Sequence, residues 1–187
     1  EPRLEGLADN DPMDQLTEQT GNGRHWTQTG GDRPICKTNQ LNGNAVADFN
    51  GITSKFWVGP DLSALTAAHV FVIAVLSCDD PNVLGQYTGF WRLGSQADDL
   101  ITAWPYTDGV IYDGAMRTTR MTVADPGPVL TTFRVYEIIS TSSLWAAKLD
   151  YSTLTSTGTN TVGGNTSPRL GRSTINDNSI SNYFPGQ

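Results

Sequence analysis

The stretch FWVGPDLSALTAAHV, residues 56–70, decides the fold class. An aromatic and β-branched run, KFWV at 55–58, meets a Gly-Pro pair and resumes as SALTA at 63–67. Pro at the second position of a turn between two such runs predicts a hairpin, with GPDL as its turn. His69 follows directly, so the question raised by the stretch is whether the hairpin presents an imidazole for chemistry or merely ends beside an apolar strand.

Outward from this hairpin, the chain from about residue 35 alternates short runs of Val, Ile, Thr, Phe, Tyr and Trp with Gly, Pro and Asn clusters. That rhythm reads as an all-β domain over 35–187. Candidate strands are 45–49, 54–58, 63–67, 70–76, 87–93, 100–104, 110–112, 114–119, 129–139, 144–149 and 159–162. Residues 1–34 are polar and lack sustained periodicity, and read as an irregular N-terminal arm, a pro-like segment or an extended lead-in. Within it, GLADNDPMDQLTEQTG (6–21) has room for one short helix, with Asp11 as N-cap ahead of Pro12.

Composition narrows the function classes. The 187 residues carry 17% charged and 37% hydrophobic side chains and a net charge of −7. No basic stripe exists to meet a phosphate backbone or an anionic membrane, so neither nucleic acid nor membrane is an expected partner. The longest apolar run, VFVIAVLSC, falls well short of the roughly 20 residues that span a bilayer. Abundant Thr, Ser, Asn and Gly with scarce Lys suit a secreted, extracellular or virion-surface β protein. The stretch after Glu1 has neither the charged n-region nor the apolar h-region of a signal peptide. In an oxidising compartment Cys36 and Cys78, 42 positions apart, would form a disulfide worth about 4 kcal/mol in the chain-entropy treatment. The other reading is two unrelated buried thiols. With two histidines and no C-x-x-C or H-x-x-x-H spacing, no metal is expected. Without a P-loop, a dinucleotide fingerprint or an EF-hand, no cofactor is expected either.

GITSKFWVGPDLSALTAAHV (51–70) resembles the segment of chymotrypsin-like serine proteases, especially the glutamyl-endopeptidase branch, in which a strand, a G-P-[ND] turn and a second strand deliver L-T-A-A-H. The resemblance implies chymotrypsin-like antiparallel β-barrels and His69 as the catalytic base. It also implies an orienting carboxylate before a short apolar strand. VIYDGAMRT resembles that pattern, which makes Asp113 the candidate, 44 residues past His69. Its role would be to accept the imidazole N–H and stabilise the imidazolium. The competing reading of Asp113 is an Asp-Gly turn, and Asp98, Asp99 and Asp108 are rivals with poorer local patterns.

For the nucleophile, VGGNTSPRL (162–170) resembles the family's G-N-S-G-S-P loop at a distance. Gly, Asn, a hydroxyl residue and Pro recur in order, but the loop is shorter and no Gly follows the hydroxyl, where an oxyanion loop uses backbone conformations that a Cβ disfavours. Ser167 is the first candidate, Thr166 the second, Ser173 the third. Only 20 residues follow Ser167, which leaves a second barrel incomplete. Asn165 to Ser167 also form an N-glycosylation acceptor, which would shield that nucleophile. No histidine follows His69, so no preference for cleavage after Glu is expected, although Arg169 or Arg172 would bring positive charge.

Three functions fit these residues. The first is a secreted serine endopeptidase that hydrolyses peptide bonds of a peptide or protein substrate through an acyl-enzyme. The second is a protease-fold binding module without turnover. The third is a β-rich structural or surface protein of a virion or coat in which T-A-A-H is coincidental. The Asp pairs at 79–80 and 98–99 read as solvated turns, because neighbours on a strand face opposite ways. The five Trp and six Tyr read as core before they read as sugar platforms.

Overall fold

The computed structural model describes residues 6–50, 55–66, 70–76, 89–96, 102–106, 108–127, 131–173 and 185–186. In chain order the strands are β1 (Gln15–Leu16), β2 (Trp26–Thr27), β3 (Ile35–Leu41), β4 (Asn44–Asn50), β5 (Trp57–Val58), β6 (Val70–Leu76) and β7 (Trp91–Gly94). They continue as β8 (Ile111–Asp113), β9 (Met121–Ala124), β10 (Arg134–Thr141), β11 (Leu144–Leu149), β12 (Ser152–Thr157), β13 (Gly164–Leu170) and β14 (Pro185–Gly186). Helical structure among the described residues is confined to 3-10 turns such as Gly30–Asp32. The chain is all-β, and every strand pair is antiparallel.

The strands form four sheets, ordered β1-β2-β5-β13-β7, β12-β11-β10-β6, β14-β4-β3 and β8-β9. Among the described residues none closes into a barrel. Local chemistry explains the tight connections. Asn42 and Gly43 join β3 to β4 with φ of 52° and 81°, the left-handed pair that matches the twist of two antiparallel strands. Asp150 and Tyr151 do the same between β11 and β12 at 45° and 69°. The Asp150 carboxylate holds that turn by accepting the Val135 amide at 2.9 Å and pairing with Arg134.

Strand alternation builds the core. Tyr136, Ile138 and Ser140 of β10 and Trp145, Ala147 and Leu149 of β11 are buried at every second position, as expected of strands with one face packed. Trp91 and Trp104 meet the Tyr136 ring at 5.7 and 5.6 Å, and Phe90 closes the cluster on Trp91 at 4.6 Å. Residues 6–34 pack onto this body. Met13 is fully buried, its carbonyl accepts the Trp57 indole N–H at 3.1 Å, and β1 and β2 extend the sheet of β5.

Several expectations need correction. Within SALTA, the described residues 63–66 form no return strand. Asp61 Oδ1 accepts the Ser63 amide at 2.7 Å and the Leu65 amide donates to the Leu62 carbonyl at 2.9 Å, an Asx-type turn that coils the chain before β6 begins. The KFWV strand pairs instead with β2 and β13. Residues 114–119 also turn, with Met116 at φ 54° and the Arg117 amide donating to the Gly114 carbonyl. Pro12 bridges to Ile35 in extended conformation, so the short helix over 6–21 does not form. Strand 159–162 reduces to a single bridge between Val162 and Arg117. Cys36 is a buried free thiol; Cys78 lies outside the described residues.

Candidate functional site

Asp113 ends β8 and is completely buried. Its Oδ1 accepts the Ala115 amide at 2.7 Å, the Trp91 indole N–H at 3.1 Å and the Thr102 hydroxyl at 3.3 Å. Its Oδ2 accepts the Tyr136 hydroxyl at 3.0 Å and shares the Trp91 N–H at 3.1 Å. All four donors are neutral. Burial therefore dominates, raising the carboxyl to about 6, and the four hydrogen bonds hold that rise in check. The Tyr136 phenol is pushed well above its ordinary value by burial and then by the Asp113 charge. The Ala115 amide bond is the Asx turn that an Asp-Gly pair favours. The other three donors tie β7, the segment at 102 and β10 to β8.

The hydroxyl candidates are spread out. Ser167 sits on β13, exposed, with its amide donating to Asn165 Oδ1 at 2.8 Å. Ser173 is fully buried. Its hydroxyl has no hydrogen-bond partner, and a Cβ on Gly89 would come within 2.1 Å of it, so the site is closed to a substrate. Thr166, exposed on β13, lines a cleft of about 490 Å³.

That cleft is built from several distant segments. Ser63 and Thr66, in the turn that runs toward His69, share it with 162–166 and with the buried Arg92 and Gln96. His69 itself lies outside the described residues, as do Asp98 and Asp99. Asn165 fastens the two walls together. Its carbonyl accepts the Leu62 amide at 2.8 Å and its Nδ2 donates to the Gly94 carbonyl at 2.9 Å. The second bond already engages the atom that an N-linked glycan would need. Gly163 and Gly164 permit this close approach, since a Cβ would lie 2.3 Å from Ser95 Oγ on the first and 2.0 Å from the Leu62 carbonyl oxygen on the second.

The positive charge in the cleft comes from a residue that the sequence did not single out. Arg169 and Arg172 lie over the Phe56 ring at 5.1 and 5.4 Å. Arg92, 1% exposed, lines the cleft, with Nη2 donating to the Gln96 carbonyl at 3.0 Å and Nη1 to the Ser173 carbonyl at 3.4 Å. Its signal was an Arg inside the apolar run GFWRLG, because arginine is rarely fully buried without a role. Gln96 Nε2 donates to the Gly114 carbonyl at 3.0 Å, linking the cleft to the residue after Asp113. Of the remaining candidates, Asp108 accepts the Val110 amide and the Tyr112 hydroxyl in an exposed turn. His25 accepts the Glu18 amide on Nδ1. No group of three His, Cys, Asp or Glu side chains suited to a metal occurs among the described residues. The chain matches no protein-family model, no curated protein and no solved structure.

Proposed function

We propose that the chain is a serine-endopeptidase-like protein of chymotrypsin-like descent whose cleft receives an extended peptide outside the cell or at a virion surface. One observation carries the reading: three segments chosen from sequence converge. Ser63 and Thr66, three to six residues before His69, share the cleft with Asn165 and Thr166, and Gln96 of the same cleft bonds to the residue after Asp113. In this reading His69 takes the proton of a hydroxyl on 162–168 as that oxygen attacks the scissile carbonyl. Asp113, buried and held by four donors, orients the imidazole, and water then releases the acyl group. Thr166 faces the cleft and competes with Ser167 for the nucleophilic role.

A binding module on the same framework is the second reading. It is favoured by the donors already seated on both Asp113 oxygens. Labelling with a fluorophosphonate followed by peptide mapping separates the two. Modification at Ser167 or Thr166 that disappears in His69→Ala supports the peptidase. A folded, unlabelled protein supports the binding module or the surface protein.

A further inference from the structure

The loop that joins β1 to β2 is closed by two residues at its own ends, Glu18 and His25. The half-buried imidazole of His25 accepts the Glu18 amide on Nδ1 at 3.1 Å. The Glu18 carboxylate is taken up by the loop itself, with hydrogen bonds from Thr20 and from the backbone of Arg24 and Asn22. Gly21 and Gly23, at φ of 80° and 68°, give the loop the alternating backbone on which such amides converge. A ring nitrogen that receives an N–H cannot carry a hydrogen of its own, so the imidazole that makes this bond is neutral, with its proton on Nε2.

What the loop closes is thinly attached. Gln15 pairs with Thr27 and Leu16 with Trp26, the Gln28 amide reaches the Asp14 carbonyl at 2.9 Å, and β2 meets β5 only at Thr27 and Val58. The Trp26 ring lies over Gly59, where a Cβ would fall 2.6 Å from it, and the Gly59 amide donates to the Pro168 carbonyl of β13 at 2.9 Å. With so short a ladder, one hydrogen bond at the loop is a large share of what keeps the hairpin shut. We propose that His25 makes the β1–β2 hairpin a pH-sensitive clasp: when the imidazole takes up a proton, Nδ1–H meets the Glu18 N–H, the bond is lost and the hairpin loosens from β5. The charged groups nearby leave the imidazole as the sensor. Hydrogen bonding, from Thr20 first, holds the Glu18 carboxyl below its ordinary range against the opposing effect of burial, so it stays ionised where an imidazole titrates. The Arg24 guanidinium keeps its charge throughout. Asp14 and Arg33, beyond Gln28, pair with each other at 2.6 Å. On the β5 side, Trp57, Val58 and Gly59 do not titrate. The inference is independent of the cleft and of the peptidase reading.

Amide hydrogen exchange read by NMR on the full chain tests the clasp. Protonation of His25 is followed by its own ring resonances. Protection factors of the β1 and β2 amides, corrected for the intrinsic effect of pH, are compared at about pH 8 and about pH 5, on either side of an imidazole titration. Acidification should lower them on the order of tenfold, the worth of one hydrogen bond, while protection in β10 and β11 does not fall. His25→Asn, whose Oδ1 accepts the same amide without titrating, should stay protected at both values, and His25→Phe should be poorly protected at both. Should these variants fail to fold, the native chain decides: ring nitrogen shifts should place the proton on Nε2 at high pH, and the Glu18 amide shift should follow the titration of the ring. A hydrogen on Nδ1 at high pH, or an equal loss of protection in His25→Asn, would overturn the proposal. So would protection that holds or rises on acidification, the sign that the imidazolium has turned to Glu18 Oε2, which has no hydrogen-bond partner among the described residues.

Discussion

Asp113 and Gln96 are buried polar residues joined through Gly114, yet their environments are opposite. Asp113 faces the aromatic core, and donors from β7, β10, residue 102 and its own turn occupy both carboxylate oxygens. Gln96, packed between Gly94 and Gly114, has one half of its amide paired and the other half buried without a partner. A fully satisfied buried group specifies and rigidifies the structure around it, whereas a half-satisfied one is a liability unless something else completes it. The first arrangement is a tether among strands; the second is a buried acceptor left unmatched.

The sharpest way to break this contrast is to remove the tether. Asp113→Ala strands the Trp91, Tyr136 and Thr102 donors and the Ala115 amide in the core, and should lower unfolding stability by about 3 kcal/mol or more in a urea titration. A loss below about 1 kcal/mol would mean the core repairs itself and the tether is no tether. Asp113→Asn keeps the shape. It should fold with a smaller loss, and abolition of turnover in that folded variant would assign Asp113 the orienting role besides its structural one.

Proton linkage sharpens the comparison next. The Asp113 carboxyl is raised by burial from 3.8 to about 6 in the folded chain. Between those values the folded state binds the proton and the unfolded chain does not. Its contribution to stability is therefore full below pH 4 and is lost as the pH rises through 6, by roughly 3 kcal/mol across the window. Urea titrations of the native chain and of Asp113→Asn at pH 4.5 and 7 should differ in that direction, the native chain gaining more on acidification. An equal response of the two would place the titrating group elsewhere.

At the cleft, Gly164→Ala drives a Cβ toward the Leu62 carbonyl. It should cost about 1–3 kcal/mol, as thermal unfolding would record. The smallest effect is expected at Gln96. Gln96→Met loses the bond to Gly114 but also removes an unmatched acceptor, so its stability should stay within about 1 kcal/mol of the native chain. A loss as large as that of Asp113→Ala would make Gln96 a second tether.

Parts of this contrast were visible in the residues alone. Runs such as RVYEIIS and LWAAKL carry their own alternation, and strands formed at 134–141 and 144–149 where 129–139 and 144–149 were expected. Asn42-Gly43 is the strongest short hairpin signal in the chain, yet β3 before it went unread, because ICKTNQL is polar enough to pass for loop. β13 was read as a loop for a similar reason, since GNTSPRL is full of turn residues and becomes a strand only through its pairing with β5 and β7. SALTA failed in the other direction, its β-like composition yielding to the Asp61 side chain.

Sequence by itself determined the class of this protein: antiparallel β, acidic, with the Asp113-Gly114 turn and the Val162 to Leu170 segment marked for attention. Those features are local, set by side-chain periodicity and turn chemistry within a few residues. Tertiary structure decided which marked residues meet. It sent Asp113 into a web of donors drawn from 22 and 23 residues away, put Thr166 in the cleft that Ser167 does not line, and brought the buried Arg92 and Gln96 to the same cleft. Hydrogen-bond satisfaction in a buried site depends on partners distant in the chain, and only folding brings those partners within reach.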